Sequence, residues 1–498
     1  MSPRGVGPRP VLRSGRMPRI AFLSYSTAEW DSRTQRMARS ALDAGFDVTV
    51  YARWKRHLPL VEQRPGYQVV RVPAWATSAV PGLRWLGRRQ AASVRFHPQV
   101  ADVDAASFSG DDEDEPPAER RAASDALAWV PPRLRGTRAG LPLRAAKRLW
   151  PLLAKALARA VPDPLLIFPI RPIAWGVALE DAAEPADIWH GMWAGSLPAL
   201  HRMRRRHGGH AVYDSRDVYM RSRGFERMGI FKAPFAWMER RWARGVDAVL
   251  TVNEAYAALL AGQFGIDPPP VVRNTPDRYT LPADRPDLIR TALGLPPDTR
   301  VILYQGGLLT DRGIEQGMEA ILGVENAVFV ILGVGKPTKE MTELAATDRL
   351  QGRVSFLPPV QPDRLLDWTA SADVMLMAIQ PTSVNHRFTT PQKLWEAIAA
   401  GVPVVASDLP GMAEVVRETG CGVLVEATDP ADVARGIRAI VDASAEDREA
   451  MRERTWRAGQ ERYNWQHETE TLLALYRDLL GQPEPGVPTP ASASTSAT

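Results

Sequence analysis

Apolar and polar residues in the first part of the chain follow the spacing of alternating strands and helices. Residues 19–26 (RIAFLSYS) and 47–52 (DVTVYA) are apolar runs that predict strands. Between them, residues 31–44 have the periodicity of an amphipathic helix that ends at Gly45. Residues 67–74 (YQVVRVPA) predict a third strand. The chain therefore opens with a β-α-β unit, which is typical of a parallel sheet.

Regular alternation then stops from about residue 75 to about residue 186, which predicts an irregular insertion in the first domain. Residues 101–121 contain DDEDEPPAERR, whose acidity and proline content predict a disordered surface loop. Asp102-Val103-Asp104 has the form of a metal-binding DxD motif. We expect no catalytic metal there, because the triplet lies in low-complexity sequence rather than at the end of a strand.

A basic, leucine-rich stretch at residues 141–161 also belongs to this insertion. Its leucine and alanine residues form one helical stripe and its arginine and lysine residues form another. The pattern favours a helix that packs on its own domain with a solvated basic face. A helix that rests on an anionic membrane surface is the alternative.

Strands resume at residues 187–195, 210–219 and 247–253, and we expect the first domain to span residues 19–285. A linker rich in Pro and Asp, residues 280–297, leads to a second domain at residues 286–463. Five runs there predict strands separated by helices: VILYQ, AVFVILG, RVSFLP, VMLMAI and VPVVAS. Residues 464–480 predict a last helix. The pattern indicates an α/β protein with doubly wound parallel sheets that are open at their carboxyl ends.

The composition of the chain indicates the cellular compartment in which we expect the protein. The 498 residues include one Cys, which excludes an internal disulfide framework and favours a reducing compartment. Residues 1–18 are basic and lack the apolar core of a signal peptide, so we expect a disordered N-terminal segment there. The composition of residues 481–498 predicts a disordered C-terminal tail. No run approaches the roughly 20 apolar residues of a membrane span, which favours a cytoplasmic protein with, at most, peripheral contact at the inner face of the membrane.

The net charge of +5 permits anionic partners without naming one. Zinc-finger spacing, RNP-like aromatic patterns and heptad-flanked basic regions are missing from the sequence, so we expect no nucleic-acid partner.

Residues 385–411, NHRFTTPQKLWEAIAAGVPVVASDLPG, concentrate the candidate chemistry. They predict a loop, then a short helix that Thr389 or Thr390 can cap and that ends at Gly401 in the left-handed conformation, and then a buried strand. This spacing leaves Lys393 and Glu396 on a side away from the core. Open amides and a cation at a helix start attract phosphate, and a carboxylate can accept hydrogen bonds from a ribose diol. The stretch therefore suits a nucleoside diphosphate.

The same stretch resembles the C-terminal signature of the family 4 retaining glycosyltransferases, which have the GT-B fold of two Rossmann-like domains facing a cleft. The resemblance implies that Glu396 holds the nucleotide ribose and that Asn385, His386, Arg387, Thr389 and Thr390 approach the donor sugar. The usual motif has two Glu separated by seven residues. Phe388 takes the place of the first.

A second loop, QGGLLTDRGIEQ at residues 305–316, also resembles the family. Gly306 and Gly307 lie at its turn, and Arg312 precedes a helix. In the family this loop carries an Arg and a Lys that face the diphosphate. Arg312 matches the Lys, whereas Gly307 replaces the Arg. The resemblance implies that Arg312 and Lys393, both expected in solvent, hold the leaving group.

The first domain resembles the acceptor-binding domain of the family through YDS, DAVLTVNEAYAALL and VVRN. His190 takes the place of the first His in a His-x-His pair, with Met192 in the second, and is a candidate catalytic residue. Arg216 and Asp217 are candidates for the acceptor side, unless Asp214 and Asp217 only cap turns. Arg33 is an available cation near the first strand, although a solvated arginine at a helix start is the alternative.

The resemblance implies transfer of a sugar from a nucleoside diphosphate to an acceptor with retention of configuration. We expect this activity to serve glycan, glycolipid or cell-envelope polysaccharide synthesis, without a metal or cofactor. The first strand is not followed by Gly-x-Gly-x-x-Gly, which argues against an NAD-dependent oxidoreductase. Neither a Ser-His-Asp set nor a paired-carboxylate motif supports a hydrolase. One alternative is a degenerate GT-B binding or scaffold subunit, because Phe388, Met192 and Gly307 each replace a residue that is commonly functional in the family. A nucleotide-sugar epimerase is a further alternative.

Overall fold

The computed structural model describes residues 16–29, 31–79, 84, 163–226 and 228–482. In these ranges the chain forms two lobes, each built on one sheet. We call the lobe around the first sheet the first lobe and the other the second lobe. The acidic loop, the Asp102-Val103-Asp104 triplet, residues 141–161 and most of both predicted disordered termini lie outside the described residues.

The first sheet has seven strands in the order β3-β4-β2-β1-β5-β6-β7. The strands are β1 (Arg19–Ser24), β2 (Asp47–Arg53), β3 (Val61–Arg64), β4 (Tyr67–Val72), β5 (Ile188–Met192), β6 (His210–Asp214) and β7 (Ala248–Leu250). The helices of this half are α1 (Ser32–Asp43), α2 (Arg171–Ala182), α3 (Leu197–His207), α4 (Arg223–Glu226), α5 (Lys232–Ala243) and α6 (Glu254–Phe264). Neighbouring strands are parallel except β3 and β4, which form an antiparallel hairpin.

The second sheet has six strands, all parallel, in the order β10-β9-β8-β11-β12-β13. The helices that precede and follow β8 (Arg300–Gly307) are α7 (Leu288–Leu293) and α8 (Ile314–Ala320). The elements that follow are β9 (Ala327–Val334), α9 (Lys339–Ala345), β10 (Val354–Leu357), α10 (Leu365–Ala370), β11 (Val374–Met377), α11 (Val384–Phe388), α12 (Gln392–Ala399), β12 (Val404–Ser407), α13 (Pro410–Thr419), β13 (Gly422–Val425), α14 (Pro430–Val441), α15 (Ala445–Glu461) and α16 (Trp465–Leu480).

Both sheets are covered on two faces, as parallel sheets require. In β1, Ile20 and Phe22 pack on the side of α1 and α16, whereas Ala21 and Leu23 pack on the opposite side. All four side chains are buried. The interpretation of the apolar runs as doubly buried parallel strands is therefore confirmed.

Several elements lie where the sequence pattern predicted none, among them β3, β13, α2 and α7. The strands β3 and β13 have four residues each, which is too short for alternation to stand out. The helix α2 lies in the insertion that we expected to be irregular, and it was missed because buried residues surround much of its circumference. The helix α7 lies in the expected linker, where its six residues follow Asp287.

The last helix packs on the first sheet rather than on the second. In α16, Trp465, Leu472 and Tyr476 are buried among the side chains of α1, β1 and β5. The Trp465 backbone N–H donates to the carbonyl oxygen of Pro276 at 2.8 Å, where the chain leaves the first lobe. The chain thus crosses between the lobes twice. None of the helices in the described part of the chain has the length and apolar content needed to span a membrane.

Candidate functional site

The order of the strands predicts where ligands bind. In the second sheet the chain continues from β8 to one side and later returns to the other side at β11, so a crevice forms between their carboxyl ends. The same reversal occurs between β1 and β5 in the first sheet. The candidate residues lie around these two strand ends.

Glycines shape the loop that follows β8, where the sequence predicts phosphate binding. Gly306 has a φ of 122°, and a Cβ added there would lie 3.6 Å from Lys393 Nζ. Gly313 has a φ of 78°, and an added Cβ would lie 2.1 Å from the carbonyl oxygen of Ala378, which no side chain permits. These glycines allow the loop that carries Arg312 to pass close to β11 and leave room for the Lys393 ammonium group.

Positively charged side chains are concentrated beside this loop. Lys393 Nζ lies 3.6 Å from the centroid of the Tyr304 ring, an arrangement that favours a cation. Burial and the Arg312 guanidinium lower the pKa of Lys393 well below its ordinary value, while Glu396 opposes this shift. Burial and Arg312 also lower the pKa of His386 to about 4, so its ring is neutral at pH 7. An anion placed here would relieve the repulsion between the cations.

The expectation that Arg312 and Lys393 lie in solvent is wrong. Both side chains are half-buried, because Lys393 lies against the Tyr304 ring and the Arg312 loop follows the end of β8. Among the residues that the structure describes, no carboxylate lies within ion-pairing distance of either cation. Asp311, the nearest in sequence to Arg312, instead forms an ion pair with Arg223 of the first lobe.

The expected caps of α12 are also wrong. The residue at the N-cap is Pro391, without a side-chain hydrogen bond, whereas Thr389 ends the preceding helix α11. Thr390 Oγ1 instead accepts a hydrogen bond from Asn253 Nδ2 of the first lobe at 3.1 Å. The first turn of α12 is therefore left without a side-chain cap, which suits an external anion.

Glu396 does not face away from the core, as the helical spacing suggested. It is 7% exposed, because the end of β8 lies opposite this turn of α12. Gln305 Nε2 donates to Glu396 Oε2, and Gln392 Nε2 donates to Glu396 Oε1 at 2.8 Å. Burial raises the pKa of Glu396 although both amides and nearby Arg36 favour its ionised form. The carboxylate is thus held in a fixed orientation.

Two residues near Glu396 were missed from the sequence. Gln305 is a buried polar side chain at the end of an otherwise apolar strand, and its position at the carboxyl end of β8 was an available signal. Arg36 comes from α1 of the first lobe, donates to Asn274 Oδ1 and has a buried Nε without a partner among the described residues. Burial lowers the pKa of Arg36 to about 10. Its proximity to Glu396 depends on the lobes meeting, which no local pattern reveals.

The segment expected to approach the donor sugar is bound to the first lobe. Asn385 Nδ2 donates to Asp217 Oδ1 at 3.0 Å, and Asn385 Oδ1 accepts from the Val218 N–H at 3.1 Å. Tyr256 Oη donates to the Asn385 carbonyl oxygen at 2.9 Å. Phe388 packs against the apolar core of the first lobe. His386 is half-buried beside Arg312, whereas Arg387 is exposed.

Arg33 is a buried structural residue and not a solvated cation. Its side chain is 1% exposed, its Nε lies 2.7 Å from Asp214 Oδ2 in an ion pair, and its Nη1 donates to the Val272 carbonyl oxygen. Asp214 therefore does more than cap a turn. Arg33 was misread because its partner is 181 residues away in the sequence.

Arg216, a predicted acceptor-side residue, lies just after the carboxyl end of β6. It makes two hydrogen bonds to Asp31, at 2.9 and 3.1 Å, and its guanidinium lies 5.8 Å from the centroid of the Trp193 ring. Its Nη2 also donates to the sulfur of Met192 at 2.6 Å. Burial opposes ionisation of Asp31, but Arg216 and Thr34 hold its pKa below the ordinary value. The side chain of Arg216 is thus held in a fixed position.

His190 cannot act as a catalytic residue in this arrangement. It is fully buried in the middle of β5, where its ring faces α16, and its Nδ1 lies 2.7 Å from Tyr476 Oη. Its Nε2 lies 3.8 Å from Asp214 Oδ2. Burial lowers the pKa of His190. The side chain of a strand alternates in direction, so His190 shares the face of Ile188 and Met192 and is covered by the last helix.

Comparison with known proteins places this geometry in a class. Solved structures share the fold over most of the chain. A sucrose-phosphate synthase from Thermosynechococcus elongatus has a TM-score of 0.61 at 16% identity, covering 94% of this chain and 100% of that one. Anabaena Alr3699/HepE, solved in complex with UDP, has a TM-score of 0.56 at 13% identity, covering 92% of this chain and 100% of that one. The class is the GT-B fold, as predicted.

The family follows from the second lobe. Residues 287–457 match the family described as glycosyl transferases group 1. The D-inositol 3-phosphate glycosyltransferase of Xylanimonas cellulosilytica is 30% identical over 246 residues, 46% of this chain and 56% of that protein. The chain spans about half the length of the curated relatives that it matches. The second lobe is thus similar to the group 1 glycosyltransferases, in line with the predicted resemblance to family 4.

Proposed function

We propose that the protein is a glycosyltransferase that moves a sugar from a nucleoside diphosphate donor to an acceptor, with retention of configuration. The observation that carries this proposal is the convergence of Arg312 and Lys393 beside the uncapped start of α12, with no carboxylate of the described residues paired to them. A diphosphate supplies the missing negative charge. In a partly desolvated site each such contact is stronger than in water.

Each residue then has a separate role. Lys393, Arg312 and the amides of α12 hold the diphosphate, and Glu396 accepts hydrogen bonds from the ribose hydroxyls. The bond between the anomeric carbon and the diphosphate oxygen breaks, and the acceptor oxygen bonds to the same face of that carbon. The acceptor proton passes to the leaving diphosphate. Residues that stabilise the departing charge accelerate this step. We propose that no metal ion or cofactor takes part.

The substrates and setting are proposals of the same kind. The UDP complex of Anabaena Alr3699/HepE makes uridine nucleotides the first donors to test. The name of the Xylanimonas relative makes D-inositol 3-phosphate the first acceptor to test. We propose a role in glycan, glycolipid or cell-envelope polysaccharide synthesis in the cytoplasm, with a small or lipid-linked acceptor.

A thermal-shift panel of nucleoside diphosphate sugars tests the donor site. A ligand at 100 times its dissociation constant adds about 2.7 kcal/mol to the free energy of unfolding, so the cognate donor raises the melting temperature clearly. Lys393→Met should lose that shift. Lys339→Met, a change at an exposed lysine of the same lobe, serves as the matched control and should keep it. A panel in which no nucleotide sugar stabilises the wild type contradicts the proposal.

The packing of Phe388 against the first lobe favours one second candidate, a degenerate GT-B binding subunit. Such a subunit binds a nucleotide sugar without turning it over. Incubation of the donor with and without acceptors separates the two, because a transferase releases nucleoside diphosphate and forms a glycoside. An epimerase would convert the sugar without an added acceptor.

A further inference from the structure

The helix α5 has two apolar faces, and only one of them is used by the fold. Phe231, Phe235, Met238 and Trp242 recur at helical spacing and pack into the core of the first lobe. The rings of Phe235 and Trp242 lie 5.4 and 5.7 Å from the ring of Phe168. The helix is therefore already anchored on its inner side. Apolar residues on its outer side are not needed for folding.

The outer side nevertheless carries two of the largest exposed apolar side chains of the described chain. Ile230 is 85% exposed and Trp237 is 66% exposed. Ile230 lies in the 3₁₀ turn Gly229–Phe231, which continues directly into α5. Seven residues separate the two, which is two helical turns, so both project from the same face. Ala233 and Pro234, which lie between them, are exposed as well.

The same face continues into a basic cluster. Arg240, Arg241 and Arg244 follow Trp237 at helical spacing and are exposed. The only acidic residue of α5, Glu239, is fully buried and accepts hydrogen bonds from Tyr213 and Gln263, so it does not neutralise this face.

The adjacent helix α3 enlarges the cluster. Its last turn contributes the exposed residues Arg204, Arg205 and Arg206. Arg204 Nη1 donates to the Gly245 carbonyl oxygen at 2.9 Å, which fixes α3 beside the end of α5. Arg204 also forms an ion pair with Asp247 at 2.8 Å, so the remaining five arginines supply the excess charge. We call the face from Ile230 to Arg244, with these arginines, the outer face of α5.

We propose that the outer face of α5 binds the surface of an anionic lipid bilayer. Exposed Ile and Trp side chains on one helical face enter the boundary between headgroups and acyl chains, and arginines beside them attract anionic headgroups. An acidic protein with an apolar patch is the other occupant, and a wild type that fails to sediment with anionic vesicles would favour it. The inference stands apart from the proposed transferase activity, since it needs only the surface.

The position of this face gives it a consequence for access to the cleft. The helix α4, immediately before the 3₁₀ turn, carries Arg223, which forms an ion pair with Asp311 of the second lobe. Arg223 Nη1 also donates to Thr310 Oγ1 at 3.1 Å. The apolar end of the outer face thus begins seven residues after the edge of the cleft. A bilayer bound there lies next to the opening between the lobes.

Sedimentation of the full chain with lipid vesicles tests the proposal. We expect the wild type to sediment with phosphatidylcholine vesicles that contain phosphatidylglycerol, and to bind pure phosphatidylcholine at least 10-fold more weakly. Ile230→Ser with Trp237→Ser, and separately Arg240→Glu, Arg241→Glu and Arg244→Glu together, should each weaken binding at least 10-fold. Arg417→Glu, Arg454→Glu and Arg457→Glu, three exposed positions of the second lobe, make the matched control and should bind like the wild type.

Unchanged melting temperatures of the variants show that the fold is retained. Equal sedimentation of the wild type and either outer-face variant would overturn the proposal, as would sedimentation that needs charge but not Ile230 and Trp237. Loss of binding only after charge reversal of Arg144, Arg148 and Arg159 would also overturn it. That outcome would assign membrane contact to residues 141–161 instead.

Discussion

Replacement of Glu396 by Gln tests the ribose role without disturbing the fold. Gln305 and Gln392 both donate to the buried carboxylate. Glu396→Ala would leave two buried amides unpaired, at a cost of about 1–3 kcal/mol each, and would confuse lost binding with lost stability. Gln keeps the volume of the side chain and an accepting oxygen. It removes the charge and replaces one accepting oxygen by an NH2 donor, which the exposed amide of Gln392 can meet with its own oxygen by turning over.

The size of the expected effect follows from the two hydroxyls of a ribose. A hydrogen bond to a charged group contributes about 1.5–3 kcal/mol, and a neutral one about 0.5–1.5 kcal/mol. Over two hydroxyls the difference is about 2–3 kcal/mol, which corresponds to a donor affinity about 30- to 150-fold lower. Titration calorimetry with the nucleoside diphosphate measures it. Glu414→Gln, at an exposed position on the neighbouring helix α13, is the control and should leave the affinity unchanged.

An analogue that lacks both ribose hydroxyls completes the experiment. If Glu396 holds these hydroxyls, Glu396→Gln should weaken the natural nucleotide but leave the affinity for the analogue almost unchanged, because the interaction has already been removed. Equal weakening of the nucleotide and the analogue would show that Glu396 acts elsewhere. Unchanged affinity for the natural nucleotide would refute the ribose role altogether.

Five further outcomes test other parts of the structure and of the proposed function. Donor affinity should fall as the pH rises through the lowered pKa of Lys393, because the neutral amine no longer attracts the diphosphate. Lys393→Met should bind the donor weakly and show no such fall. An identical pH profile of donor affinity in both proteins would contradict this prediction. Phe388→Glu introduces the residue that the family usually has at this position. It should lower the melting temperature without raising turnover, because Phe388 packs against the first lobe. Higher turnover of the variant would instead favour a contact between this position and the sugar. Arg33→Met should cost about 3–5 kcal/mol in urea unfolding at pH 7 by leaving Asp214 buried without its partner, and a loss below 1 kcal/mol would contradict the buried pair. Burial opposes ionisation of Asp214, but Arg33 and His190 hold its pKa well below the ordinary 3.8. The wild type should therefore lose stability as the pH falls below 3.8, because protonation of Asp214 favours the unfolded chain. A constant free energy of unfolding over that pH range would contradict this prediction. A chelator should leave turnover unchanged if no metal takes part, and loss of turnover restored by a divalent cation would contradict that proposal.

Local patterns in the sequence predict what depends on neighbours along the chain. Apart from β3 and β13, the strands of both sheets follow from spacing, because burial on a regular element repeats at a fixed period. So do the helix that begins at Gln392 and its end at Gly401, which has a positive φ. In that helix Leu394 and Trp395 are buried, in keeping with its amphipathic spacing. These features need no knowledge of what lies opposite.

The errors arise where a distant element decides the environment. Glu396 has the spacing of an outward residue but is covered by the end of β8, and Arg33 looks like a helix-start residue but is paired with Asp214 of β6. His190 stands at the expected strand, yet the last helix of the chain closes over it. Each depends on a contact between segments at least 91 residues apart, which periodicity within one element does not contain.

The short segment before α12 links the two lobes to the donor site. Asn253 Nδ2 donates to the Phe388 carbonyl oxygen at 3.0 Å, and the hydrogen bonds of Asn385 fix the same segment to Asp217. A few residues later the chain supplies Lys393 and Glu396. A movement of the first lobe must therefore move or strain the start of α12.

This link offers a physical account of Phe388. A glutamate at its position would have to lie charged against the apolar core of the first lobe, whereas a phenylalanine gains free energy there by losing contact with water. The exchange removes a polar group from the cleft and adds packing between the lobes. In the proposed function, the charge that binds the diphosphate comes from Lys393 and Arg312 instead. On that proposal, the protein keeps the residues that bind a leaving group and uses position 388 to hold its lobes together.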